Sequence, residues 1–196
     1  PASLPNIPND VDASVTELSL SWNQISAIRQ TDFNDKYPNL FSVDLKYNRV
    51  TTVEKGCFRG TVLSYVNLEG NLLDYFPDFC EVNQTLRTLL IKMNSLGTIK
   101  EEDIGCLVLL EVLYMGFNPI APLPDLSQIL PSLTVLGLGG ITFDCCRDIA
   151  WMKGITILYV DAYPCQSPTS FIGIFWMEIT RYQLEETYCS GEILYF

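Results

Sequence analysis

The stretch Leu86–Ile99, LRTLLIKMNSLGTI, decides the fold. It fits the template L-x-x-L-x-L-x-x-N-x-L-x-x-I through Leu86, Leu89, Ile91, Asn94, Leu96 and Ile99. Working outward, the same template lies down on both sides of it. Its polar anchor recurs at Asn23, Asn48, Asn71, Asn94 and Asn118, at steps of 25, 23, 23 and 24 residues. A sixth copy runs through Leu133, Leu136 and Leu138, with Ile141 in the anchor position. Eight residues before the anchor stand Val15, Leu40, Leu63, Leu86, Leu110 and Leu133; five before stand Leu18, Val43, Val66, Leu89, Leu113 and Leu136. Three before come Leu20, Leu45, Leu68, Ile91, Met115 and Leu138; two after come Ile25, Val50, Leu73, Leu96, Ile120 and Phe143. No polar residue enters any of these columns, so the chain is an array of like units.

The columns resemble the leucine-rich repeat family along essentially the whole chain. That likeness implies an α/β solenoid: a curved parallel sheet on the concave face and an irregular or 3-10 convex side. One short strand per repeat, centred on the L-x-L pair, hydrogen-bonds to its neighbours. The two leucines point inward and the residues between them point out on the concave face. The Asn turns the chain off the sheet, and its amide both donates and accepts, so stacked Asn side chains serve backbone groups that the turn would strand. No repeat buries its apolar edge alone, so stability is shared between neighbours.

Residues 15–142 are read as six repeats, residues 1–14 as a short N-terminal cap and residues 143–189 as a C-terminal cap. The first segment keeps L-x-x-I-P as Leu4, Ile7 and Pro8 but lacks the family's cap cysteines. In the second, Phe143-Asp144-Cys145-Cys146, Trp151, Cys165, Pro168, Gly173 and Cys189 follow the order of the cysteine-rich cap of extracellular members. The first two cysteines are adjacent, and Ile141-Thr142 stands where that cap usually has Asn-Pro. A short helix is expected over residues 148–153, laying Ile149 and Met152 on the last repeat. The resemblance implies bridges Cys145–Cys165 and Cys146–Cys189, with a swap of partners conceivable because of the adjacency. Glu192 to Phe196, EILYF, resembles a tobacco etch virus protease site cut before its Gln, so residues 190–196 are set aside as a tag remnant.

Four cysteines match a disulfide cap and three remain, an oxidised complement that points to a secreted or extracellular-surface protein. Cys80 and Cys106 closely follow Phe79 and Ile104, which should stack on adjacent convex turns, so a Cys80–Cys106 staple is expected. Cys57 then stays a free, packed thiol; the competing pairing is Cys57–Cys80. A zinc site would want paired C-x-x-C spacing or histidine partners, and the chain has neither. The one N-x-S/T sequon, Asn83-Gln84-Thr85, falls on a convex connection and offers a glycosylation site at Asn83; such triplets also arise by chance.

Hydrophobic content of 48% is that of a folded chain. A net charge of −11 argues against nucleic acid or an anionic membrane as the main partner. The absence of histidine removes His-based catalysis and the commonest zinc ligand. No nucleotide-binding or metalloprotease motif is present, no cofactor or metal is implied, and no apolar run approaches the ~18 residues of a membrane span. The one carboxylate cluster, Glu101 to Asp103, belongs to the convex side, where a solvent-facing role is the ordinary reading.

Binding should fall on the concave columns. Tyr65, Leu90, Val112, Tyr114 and Val135 form an apolar diagonal with Asn67 among them, bordered by Met93 and Phe117 and continued by Trp22 and Tyr47. Such patches mark interaction sites, although residues beside the anchor can equally pack under the rim. Gly116, Gly137, Gly139 and Gly140 should leave the last strands bare, open to a partner group or a loop of the cap. Variable lymphocyte receptors and Toll-like receptors share this layout, and by likeness to the former residues 159–163 join the candidate surface. The leading expectation is therefore a non-catalytic recognition module of innate-immune or receptor type for a protein or glycan. The alternative is an adhesion or assembly protein that forms homodimers through the apolar face or a sheet edge.

Overall fold

The computed structural model describes residues 3–190. Most of the segment set aside as a tag, and Pro1 and Ala2 of the N-terminal cap, lie outside them. Seven three-residue strands form one parallel sheet in chain order: β1 (Glu17–Ser19), β2 (Ser42–Asp44), β3 (Tyr65–Asn67), β4 (Thr88–Leu90), β5 (Val112–Tyr114), β6 (Val135–Gly137) and β7 (Ile157–Tyr159). Strictly equivalent template positions are paired: Val43 faces Leu18 on one side and Val66 on the other, and Leu89 faces Leu113. The middle residues of β2 to β6 are fully buried, because the L-x-L alternation sends them into the core and their neighbours out.

A seventh strand lies beyond the six repeats read from the sequence. Ile157–Tyr159 pairs with β6 from inside the segment assigned to the cap. Its signal was present in the sequence, since Ile155, Leu158, Val160 and Cys165 fill the four apolar columns 22 residues after Leu133, Leu136, Leu138 and Phe143. The N-terminal segment also docks as a partial rung: Leu4 N–H donates to Asn23 Oδ1 at 2.8 Å, and Gln24 N–H to the Leu4 carbonyl at 2.9 Å.

Beside the sheet runs a ladder of asparagines. Asn94 Oδ1 accepts from Leu73 N–H, and its Nδ2 donates to the carbonyls of Leu68 and Ile91, each at 3.0 Å. Asn48, Asn71 and Asn118 repeat that pattern one rung at a time. Each buried anchor thus serves the rung before it as well as its own.

On the convex side Phe33, Phe58 and Phe79, all fully buried, pack in a row with centroids 5.3 and 5.8 Å apart, the first pair tilted and the second stacked. The connections there are more helical than expected. Single turns of α-helix occur at Gln30–Phe33, Glu101–Ile104 and Leu126–Ile129, beside the 3-10 turn Cys80–Val82. Two of them are capped by their own carboxylates, Asp32 accepting from Arg29 N–H at 2.6 Å and Asp103 from Lys100 N–H at 2.9 Å. In the acidic cluster, Asp103 is thereby a cap and Glu102 pairs with Lys100 at 3.3 Å.

Three disulfides close the structure: Cys80–Cys106, Cys145–Cys165 and Cys146–Cys189. Cys57 is free and buried, and burial first, then the neighbouring Glu81, pushes its thiol far above the usual range, which leaves it inert as a nucleophile. The expected cap helix is a 3-10 segment, Arg147–Gly154, which buries Ile149 and Met152. The two triads of carboxylate and cysteine sulfur, Asp78 with Cys80 and Cys106 and Asp144 with Cys146 and Cys189, have their sulfurs committed to these bridges.

Asp144 ties the cap together, accepting from Ser167 Oγ at 2.6 Å and from Ser190 N–H. Burial alone would raise its carboxyl; these hydrogen bonds outweigh that and hold it below the ordinary carboxylate range. A depressed carboxyl contributes stability above its unfolded value of about 4 and loses it as pH falls through the folded one. Melting temperature followed by circular dichroism should therefore hold from pH 7 to about 5 and drop below about 4. Asp144→Asn should lower it at pH 7 and flatten part of the acid limb; a limb as steep as the parent's would remove Asp144 from this account.

Candidate ligand-binding face

The outward positions of the seven strands form one in-register grid. Its N-terminal end is polar, with Glu17, Ser19, Ser42 and Asp44. From β3 onward it turns apolar, with Tyr65, Leu90, Val112, Tyr114, Val135, Ile157 and Tyr159. Register sets Leu90 beside Tyr114 and Val112 beside Val135. Tyr65, Leu90, Val112 and Tyr114 are half-buried, with their outer surfaces on the face.

Asn67 does not join this surface. It is 3% exposed, its Oδ1 accepts from Glu69 N–H at 3.0 Å, and its Nδ2 lies 3.4 Å from the Tyr65 hydroxyl. Its amide is spent on the turn, so Asn67 is withdrawn as a ligand contact. The lysines of the face are also engaged within the chain: Lys46 pairs with Asp44 at 3.5 Å and Lys92 with Glu69 at 3.2 Å.

The column just before the anchor forms the rim. Trp22, Tyr47, Gly70, Met93, Phe117 and Gly140 all have positive φ, at 60°, 53°, 66°, 57°, 53° and 73°. A left-handed backbone turns the chain off the sheet and presents the Asn to its ladder. For an L side chain it costs about 1–2 kcal/mol, a penalty that glycine escapes. Trp22, Met93 and Phe117 are nevertheless 69%, 44% and 61% exposed. Trp22 stacks on Tyr47 with centroids 4.2 Å apart, and Tyr47 donates its hydroxyl to Glu69 at 2.8 Å.

Of the glycines expected to leave the last strands bare, Gly137 and Gly140 are seats for the chain's own rings and Gly116 abuts the Gly139 backbone, while Gly139 has no close neighbour. A Cβ on Gly137 would collide with the Tyr114 ring, one on Gly140 with Phe117, and one on Gly70 with Tyr47. Across Gly137, Tyr114 from β5 meets Tyr159 from β7, the rings stacked at 5.7 Å. A cap loop does approach: Asp161 accepts from Gly140 N–H at 2.9 Å. Tyr159, expected only as part of a cap loop, is thus a strand residue of the face, and Ile157 joins it without having been foreseen.

The face tyrosines share one electrostatic tendency. Burial first, then the Asp44 charge, raises the Tyr65 phenol; the bond to Glu69 raises Tyr47; burial and then the Tyr159 hydroxyl raise Tyr114. All three remain neutral near pH 7, an amphipathic lining suited to contact.

A ladder of anchored rungs under one exposed parallel sheet defines a leucine-rich repeat solenoid. Residues 13–73 match the family model described as leucine rich repeat. Asporin of Bos taurus is 28% identical over 103 residues, which make up 52% of this chain and 28% of asporin. Among solved structures, a TLR13–ssRNA13 complex superposes with a TM-score of 0.61 at 24% identity, covering 72% of this chain and 21% of that one. A leucine-rich repeat protein from Bacteroides thetaiotaomicron VPI-5482 gives 0.65 at 19% identity, covering 82% and 21%. The chain therefore spans under a third of each of these proteins, and the two solved structures establish the fold alone. The chain has the leucine-rich repeat solenoid fold, closed by a disulfide-bonded C-terminal cap.

Proposed function

We propose that this protein is an extracellular recognition module, of innate-immune or receptor type, that binds a protein or glycan through its concave face without catalysis. The observation that carries this is the in-register apolar grid from Tyr65 to Val135, left outward-facing beside a fully formed core. Three disulfides support an oxidising compartment, and no described helix is long and apolar enough to cross a membrane. The TLR13 structure is a complex with single-stranded RNA. Here the net charge is −11 and both face lysines are paired to acids, an arrangement that repels a polyanion.

The test is a glycan and microbial-surface array probed with the purified domain. Changing Tyr65, Leu90 and Tyr114 together to Ser should abolish its hits while leaving the far-ultraviolet circular dichroism unchanged. Hits of undiminished strength would refute the concave site.

The adhesion reading draws on one feature: β7 has a sheet neighbour only on its β6 side among the described residues, leaving a free edge. Sedimentation velocity at micromolar concentration separates the two, since a strict monomer leaves the edge unused.

Asn83 closes the 3-10 turn on the convex side, partly exposed and away from the face. Material secreted from eukaryotic cells should carry a glycan there, seen as a mass shift that Asn83→Gln removes without loss of array binding. An unshifted Asn83 peptide would show the triplet to be fortuitous.

A further inference from the structure

We infer that Trp22, Met93 and Phe117 form a contact ridge that the fold itself does not need, and that its occupant is a protein surface presenting apolar side chains among basic ones. The inference rests on the concave face being the binding surface and says what that surface takes.

The repeats supply their own control. One structural position, just before the anchor, adopts the left-handed backbone six times, and twice the residue is glycine. Gly70 and Gly140 show that the turn forms without a side chain. The backbone conformation disfavours large residues, and burial compensates little, because more than half of Trp22 and Phe117 and over two-fifths of Met93 face solvent. Folding alone would favour glycine at these places. Tyr47 is different: half-buried, hydrogen-bonded to Glu69 and lying over Gly70, it supports Trp22 from beneath. Strained backbone that holds exposed apolar groups is a mark of a contact site.

Charge selects the occupant. Lys46 and Lys92 are held by Asp44 and Glu69, and no basic side chain pairs with Glu17 or Asp161 among the described residues. The face thus presents surplus negative charge at both ends of an apolar middle, on a chain of net charge −11. A second copy of the chain would meet like charge with like. A protein surface with apolar anchors between lysines or arginines matches both features, and charge complementarity would steer its approach.

A phage-displayed library of random dodecapeptides, selected on the immobilised domain, supplies the probe. The recovered peptides should be enriched in Lys or Arg together with aromatic or aliphatic residues. Their synthetic forms should bind at least tenfold more weakly to Trp22→Gly and Phe117→Gly, and more weakly at 500 mM than at 50 mM NaCl. Both variants should melt no lower than the parent, a readout that a packing role would move the other way. Acidic or uncharged consensus peptides, unchanged affinity in the glycine variants, or a lowered melting temperature would each overturn the inference. Loss of binding in the Tyr65, Leu90 and Tyr114 triple variant without loss in the glycine variants would overturn the ridge and keep the face. Binding that survives all of them, or no enrichment over an unrelated solenoid, would overturn both.

Discussion

Asn94→Leu is expected to destabilise the protein by about 3–5 kcal/mol, far beyond what the similar volumes of the two side chains suggest. The carbonyls of Leu68 and Ile91 would keep the amides of Asn71 and Asn118 as donors. The N–H of Leu73 has Asn94 Oδ1 as its partner at 3.0 Å inside the core, and leucine would strand it. Leaving one buried donor unmade costs about 1–3 kcal/mol, and the lost amide bonds add roughly 1 kcal/mol each. Asn23→Leu provides the contrast. Asn23 is partly exposed and accepts from Leu4 N–H at the open end of the ladder, where water can replace it, so its loss should cost about 1 kcal/mol. Because each rung is stabilised by its neighbours, the Asn94 variant should also broaden or split the urea transition as the halves uncouple. Urea titrations of both variants, with hydrogen exchange at Leu73, check this. Equal losses at the two positions would mean that the ladder adds nothing beyond the apolar columns.

The architecture was legible because two requirements repeat at one spacing. Inward positions exclude polar atoms, and the turn needs a group that both donates and accepts, so Leu89 and Asn94 have counterparts along the chain. The face was legible only in outline. Which side chains point outward follows from alternation, but what covers them depends on neighbouring rungs, which no single repeat encodes. Asn67 occupies an outward column, yet the turn takes up its amide. Gly137 leaves a gap in the column, and the Tyr114 ring lies across it. The seventh strand was hidden for another reason: the cysteine pattern around Ile157 to Tyr159 signals a cap so strongly that the apolar columns running through it go unread. The left-handed rim was the least legible, since Trp22, Met93 and Phe117 are residues that such a backbone disfavours.

That shared segment gives the second large effect. Replacing Cys146 and Cys189 with Ser together should cost about 3–4 kcal/mol, the chain-entropy value for a closed loop of this size. The two cysteines are 43 residues apart, and the intact Cys145–Cys165 bridge shortens the effective loop, which places the loss toward the lower end. The bridge holds the helix Arg181–Glu185, with its buried Leu184, against the 3-10 segment Arg147–Gly154, where Arg147 N–H also donates to the Thr187 carbonyl at 3.0 Å. If the cap were only a cover, the damage would end there. It contributes β7, however, and Leu138 N–H donates to the Tyr159 carbonyl at 2.7 Å, so loosening the cap frees one partner of the tyrosine pair over Gly137. The variant should therefore lose near-ultraviolet tyrosine dichroism and gain a protease-sensitive site between residues 168 and 189. Amide exchange in Leu136 to Leu138 should quicken, while Leu89 to Ile91 stay protected. Exchange in β6 and β7 as slow as in the parent would mean that the last rung stands without its bridge, and that the face ends where the repeats do.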